Sequence, residues 1–309
     1  MVFLAFISLV VSGDDYYTNL WTSGLMFAGM ASAWNIISGF GGQFSLGHAV
    51  FFGVGGYTAI LVPTHGGNLY VGMLCGVLLA GFVAAALAVP LFRLRGHFFT
   101  IATLGLSIVA LALANYFDFL GAAQGIALPF EATLLSNPAD YVWVMLGYLA
   151  LVSAVALYIK HTRLGFSLFA VRDDQEAARS IGINPLLVKS IGLVLSAMLT
   201  GLAGALFIHF IGFLDPESAF SIERVGIQLP LLALIGGIGT VIGPIVGALI
   251  LQTGTDYLRG EFGGEVPGLN YIILAVILIT FARFFPGGMT GLATSMRRHL
   301  TRKKAHRDR

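Results

Sequence analysis

Ten stretches of this chain run for a dozen residues or more with at most two charged side chains each: 1–12, 18–39, 44–63, 71–92, 98–120, 140–160, 188–213, 222–236, 241–258 and 271–285. A helix needs about 20 such residues to cross the hydrocarbon of a bilayer, and buried or broken segments of a bundle can be shorter. A soluble fold of 309 residues leaves too much surface wet to hide this much apolar sequence. Composition agrees: 57% of residues are hydrophobic and 10% charged, against about 25% charged in ordinary globular domains. With 24 phenylalanines and a mean hydropathy of +0.87, the chain favours burial over disorder. The expected fold class is therefore all-α, a polytopic membrane helical bundle of about ten segments, some short or broken. The first stretch, MVFLAFISLVVS, makes only about 18 Å of helix and lacks the basic flank of a secretory signal. It is either a partial span or a sign that the true start lies upstream. The lone cysteine, Cys75 in VGMLCGVLLAGFV, excludes a disulfide framework and a cysteine-based zinc site. It reads as a small hydrophobe.

The few charges are sorted. Arg93 and Arg95, the loop residues Lys160, Arg163, Arg172, Arg179 and Lys189, Arg283 and the seven basic residues of RRHLTRKKAHRDR make up 15 of the 17 lysines and arginines. Only Arg224 and Arg259 lie elsewhere, whereas 11 of the 15 carboxylates do. The positive-inside rule places these basic regions in the cytoplasm. The chain must then cross an even number of times between the loop at 161–187 and the tail. Splitting 222–258 at GGIGTVIGP, where Gly236, Gly237, Gly239, Gly243 and Pro244 oppose a continuous helix, satisfies that condition. The expected organisation is a transmembrane domain over 1–290, with the cytoplasmic loop 161–187, followed by a basic cytoplasmic tail over 291–309. Both termini lie inside.

Enzyme signatures are missing. The chain has no G-x-x-x-x-G-K-[ST] phosphate loop, no H-E-x-x-H and no G-x-S-x-G, and its seven histidines are scattered. Two glycine-interrupted segments stand out instead. WNIISGFGGQFSLGHAVFFGVGGY at 34–57 holds seven glycines between 39 and 56, with Gln43, Ser45 and His48 among them, and LIGGIGTVIGPIVGALI is its counterpart in the second half. Broken segments at membrane depth are tolerated where they are buried or line water, and paired ones point to a translocation pathway. Close packing through small residues, as by Gly243 and Gly247, explains the glycines equally well. For the polar residues the pathway reading stands beside plain interhelical hydrogen bonding.

The loop TRLGFSLFAVRDDQEAARSIGINPLLVKS predicts a helix over 166–182, with Arg172–Glu176 and Gln175–Arg179 paired at a spacing of four. Asn184 caps the next helix, with Pro185 at its first position. The residues Glu176, Ala177, Ala178 and Gly182 form E-A-A-x-x-x-G, which resembles the coupling motif of ABC importer permeases. The surrounding RLGFSLFAVRDDQEAARSIGIN is similar to the branched-chain amino acid ABC transporter permease family, LivM type. So are NIISGFGGQFSLGHAVFFGVGGYTA, RLRGHFFTIATLG at 93–105, SAMLTGLAGALF at 196–207 and GGIGTVIGPIVGA at 236–248. Together they span about 20–285. The I-x-L-P continuation of some importer motifs is absent.

What the resemblance implies is the membrane subunit of an ATP-driven importer in a bacterial inner membrane, without an ATPase site of its own. Its partners would be a second, homologous permease subunit, two cytoplasmic ATPases that carry the ATP and Mg, and an external substrate-binding protein; no nucleic acid is implied. Glu176, Ala177, Ala178 and Gly182 would couple to the ATPases, the alanines letting the helix seat closely. Gln43, Ser45, His48, Tyr57, Thr100, Thr103 and Asn115 are the pathway candidates, as polar groups in or near apolar runs. Asp118 is a carboxylate near the outer end of a span, where a wetted helix end competes with a role towards a ligand's amino group. The implied cargo is leucine, isoleucine or valine. Urea, short amides or another amino acid class would fit the same motifs. An ion-coupled secondary transporter would need more buried carboxylates than this chain places in its spans.

Overall fold

The computed structural model describes residues 15–94, 96–135, 137–262, 268–284 and 288–289. The stretch 1–12, Arg95 and the basic tail 291–309 lie outside the described residues. Helix α1 (Asp15–Asn35) runs into a π-helical turn at Ile36–Phe40, and the chain extends through 41–47 before α2 (His48–Thr64). Helices α3 (Leu69–Leu91) and α4 (His97–Tyr116) follow. Next come a loop with short 3₁₀ turns and strand β1 (Ile126–Ala127), then α5 (Tyr141–Lys160). Two short helices, α6 (Arg163–Asp173) and α7 (Gln175–Ser180), precede the long α8 (Pro185–Ile211). Strand β2 (Phe213–Leu214) pairs antiparallel with β1, setting Ile126 opposite Leu214. After α9 (Pro216–Ala219), a π-helical stretch at Ile222–Gln228 leads into α10 (Leu229–Gly237), followed by α11 (Ile242–Phe262) and α12 (Leu269–Phe284).

Among the described residues, five helical stretches are long and apolar enough to cross a membrane: Leu69–Leu91, His97–Tyr116, Pro138–Lys160, Pro185–Ile211 and Pro216–Gly237. The predicted break at GGIGTVIGP is present, since α10 stops at Gly237 and α11 starts at Ile242. Two expectations are corrected. The fifth candidate span ends at Tyr116, so Asp118 sits beyond it in an exposed 3₁₀ turn, a wetted end. The helix expected over 166–182 is two helices. Asp174 leaves helical geometry and its carboxylate accepts from the backbone N–H groups of Glu176 (2.8 Å) and Ala177 (3.0 Å), which starts a second helix rather than extending the first.

The core forms around α1. Every residue from Gly24 to Phe40 is buried, because α5, α8, α10 and α11 surround it. An apolar helix without a polar face has to be enclosed or to face lipid. A second packing unit joins α2, α3 and α8 through small residues. A Cβ on Gly55 would collide with the backbone of Gly201, and one on Gly76 would come within 2.6 Å of the Gly55 carbonyl oxygen. Backbones approach this closely only where side chains are absent, the usual means of helix association in lipid. Helices α3 and α4 turn Leu74, Phe82, Ile101, Ile108 and Val109 outward. Such a surface is a liability in water and matches a bilayer.

Candidate functional site

The first break frees backbone groups that a helix would have paired, and side chains recapture them. Ser38 Oγ accepts from Ser45 N (3.3 Å), Ser45 Oγ from Gly47 N (3.2 Å) and Thr103 Oγ1 from Leu46 N (3.0 Å). The carbonyls of Phe44, Ser45 and Leu46 accept from Thr100 Oγ1 (2.8 Å), Trp34 Nε1 (2.7 Å) and Ser107 Oγ (3.3 Å). Unpaired peptide groups cost several kcal/mol each in hydrocarbon, which is why hydroxyls gather here. His48, wholly buried, is held at both ring nitrogens: Nδ1 lies 3.2 Å from Ser45 Oγ and Nε2 2.8 Å from Ser196 Oγ. Ser196 in turn donates to the Ala33 carbonyl at 2.7 Å.

The second break sits against the first. Asn35, the last residue of α1, donates from Nδ2 to the Thr240 carbonyl and accepts at Oδ1 from Gly239 N, both at 2.8 Å. Gly39 passes so close that a Cβ there would come within 2.7 Å of Gly239 N. Thr240 closes its own turn, donating from Oγ1 to the Gly237 carbonyl (2.8 Å) and accepting from Gly243 N (3.0 Å). Gly236, Gly243 and Gly247 bring α10 and α11 into backbone contact, the close-packing role weighed for them.

Helices α6 and α7 lie at the same end as this junction. Arg172 of α6 donates from Nη1 to the Gly39 carbonyl at 3.1 Å. The pairings expected at a spacing of four are replaced. Arg172 pairs with Asp173 (3.0 Å), Gln175 accepts from Lys189 Nζ (2.8 Å), and Arg179 pairs with Glu176 three residues back (3.0 Å). Gly182 takes φ +87°, which ends the turn. The N–H groups of Gly182 and Ile183 reach back to the carbonyls of Arg179 and Ala178. Glu176, Ala177, Ile181 and Gly182 are exposed, whereas Ala178 is buried against its own chain. Asn184 caps α8 as expected, accepting from Leu187 N (3.3 Å).

Of the seven pathway candidates, Ser45, His48, Thr100 and Thr103 share one network. Gln43 does not join it through its side chain, but lines a cleft of about 270 Å³ with Asp174, Gln175, Glu176 and Lys189. Tyr57 lies further along α2, stacked on Phe220 with centroids 5.7 Å apart. Asn115 stands twelve residues beyond Thr103, about 18 Å along α4. The sequence reading missed a second polar chain. Gln228 Nε2 donates to Gln252 Oε1 (2.8 Å), and Gln252 Nε2 and Ser23 Oγ both donate to Asp256 Oδ2 (2.9 Å). Asp256 and Arg224 border a cavity of about 430 Å³ at the end opposite α6 and α7, with Phe27, Phe207 and Phe210 on its apolar wall. A carboxylate inside the span 241–258 was the available signal.

Fold and site together define a multi-pass membrane protein with two interlocked broken segments beside a short exposed helix pair. Residues 16–282 match the family described as branched-chain amino acid transport system / permease component, and the chain belongs to that family. It is 30% identical over 257 residues to the high-affinity branched-chain amino acid transport system permease protein LivM of Escherichia coli K12, covering 73% of this chain and 59% of LivM. It is 25% identical over 303 residues to LivH of the same organism, covering 87% and 92%. The autoinducer 2 import system permease protein LsrC of Yersinia pseudotuberculosis is 31% identical over 129 residues, covering 40% and 37%. The chain thus spans about three fifths of the length of the LivM relatives it matches.

Proposed function

We propose that this chain is the membrane subunit of an ATP-driven importer that carries branched-chain amino acids across a bacterial inner membrane. The observation that carries this reading is the exposed helix α7, closed by Gly182 and set beside the junction of the two broken segments, in a chain of the permease family. In this reading ten segments cross or enter the bilayer over residues 1–290, both termini are cytoplasmic, and the basic tail at 291–309 stays inside. A homologous permease subunit pairs with the chain, and an external binding protein delivers the cargo. Two cytoplasmic ATPases, which hold the ATP and Mg, dock on the face formed by Glu176, Ala177 and Gly182. Their closure moves α6 and α7, and alternating access follows as the helices that carry the breaks reorient. Buried Ala178 supports α7 from beneath. Ser45, His48, Thr100 and Thr103 hold the first break in shape, and Gln43, Tyr57 and Asn115 lie along the route on either side of it.

The outer cavity supports a zwitterionic cargo. A guanidinium and a carboxylate border one space with aromatic walls, complementary to the two charges and the aliphatic side chain of leucine, isoleucine or valine. The LsrC relative, an autoinducer 2 import permease by name, favours a second reading in which the same architecture carries another small polar ligand. Reconstitution of the chain with the partner subunits in proteoliposomes tests both. Leucine uptake that requires ATP and the binding protein is the expected result. Uptake by this chain alone, without ATPases, would instead establish a secondary transporter.

A further inference from the structure

We infer that Arg172 is a latch between the α6–α7 pair and the broken segments, bonded to the first and lying beside the second, so that a displacement of α7 is passed on to the breaks. The inference rests on the importer reading and adds the route by which coupling travels. The guanidinium donates to the Gly39 carbonyl at 3.1 Å, inside the π-helical turn that begins the first break. The same Nη1 lies 3.1 Å from where a Cβ of Gly239 would stand, in the second break. The aliphatic stem lies over Gly42, whose φ of +67° and whose missing Cβ, only 2.5 Å from Arg172 Cγ, leave room for nothing larger. Asn35 completes the link, since it binds Gly239 and Thr240 and packs on Gly39.

Neighbouring contacts make α6 a firm lever. Phe169 sits under the guanidinium, 5.1 Å from Cζ to the ring centroid, and its ring meets Phe40 at 5.2 Å. Leu168, fully buried, would touch a Cβ on Gly41 or on Gly192 of α8. The Arg172–Asp173 ion pair is solvent-exposed and adds little stability. The bond to Gly39 is different, because a charged donor meets a carbonyl that the π-turn has left open. Arginine also suits the place geometrically: its fork engages Asp173 through Nε and Nη2 while Nη1 stays on Gly39. Arg172 is thus a positioning residue. It touches no cargo and sets where the breaks lie relative to α7.

The test uses the assembled importer in proteoliposomes, with uptake and ATP hydrolysis measured on the same vesicles. Arg172→Gln is expected to keep hydrolysis stimulated by the binding protein while uptake per ATP falls about tenfold or more, the scale of one lost charge-assisted hydrogen bond. Arg172→Lys, which keeps one charged donor, is expected to restore part of that ratio. An unchanged ratio in Arg172→Gln overturns the latch, and so does a proportional fall of both activities, which would mark a docking or folding role. A second readout does not require transport. Spin labels at Ser180 and Ile238, in a Cys75→Ala background, should report a narrow distance distribution with Arg172 and a broader one with Arg172→Gln. Identical distributions overturn the latch whatever the cargo, whereas absence of ATP-dependent uptake in the unmodified assembly defeats only the importer reading.

Discussion

Asn35 shows how much one amide can hold. Its side chain pairs with two backbone groups of a segment 204 and 205 residues away. Asn35→Ala leaves the part-buried Gly239 N–H and Thr240 carbonyl without that partner. A loss of about 1–3 kcal/mol is expected, measurable by titrated unfolding in mixed micelles. Arg224 and Asp256 carry a different expectation. Arg224→Gln should lower leucine uptake about tenfold while ATPase stimulation persists, since one charged contact to the cargo is worth about 1.5–3 kcal/mol. Equal uptake in variant and parent would remove the cavity from the route. At this scale the sequence was partly legible. Hydroxyls and a histidine amid glycines marked the first break correctly, because polar groups in apolar runs need partners. Which partners they take depends on neighbours that the local sequence does not contain.

Among the elements, the α2–α3–α8 unit and the α6–α7 pair respond to opposite kinds of change. Gly55→Val sets a side chain against the Gly201 backbone and forces two helices apart. The overpacking cost of about 1–3 kcal/mol should appear as a lower melting temperature in detergent. Gly182 has open space around it but a φ of +87°. Gly182→Ala therefore strains backbone alone, by about 1–2 kcal/mol, and should weaken ATPase docking in a pull-down while membrane insertion is unchanged. The pairs spaced by four in 166–182 favoured one helix, and Asp174 made two, because a carboxylate that accepts two N–H groups outweighs helix continuity. That outcome was readable in principle, since aspartate is a strong N-cap residue.

The molecule as a whole carries its asymmetry in charge. If the basic loops face the cytoplasm, a membrane-impermeant maleimide should label Glu217→Cys in intact cells or spheroplasts and Ser180→Cys only after permeabilisation, with Cys75 replaced by alanine. The opposite pattern would invert the topology. Both positions are exposed and lie at opposite ends of the fold. The outward apolar faces of α3 and α4 are where lipid or the second permease subunit would sit in this reading.

By itself the sequence determined the solvent, the breaks and the exposed loop. Apolar runs without charge can only be buried or in lipid, and clustered glycines, as at 39–47 and 236–243, oppose a continuous helix, whereas those inside α2, α3 and α8 do not. The tertiary structure decided which break meets which, that Ala178 faces inward, that Gln43 lines a cleft beside α7, and that Arg172 bridges α6 to the first break beside the second. Those facts depend on side chains converging from positions far apart in the chain, and local propensity holds no record of such distances.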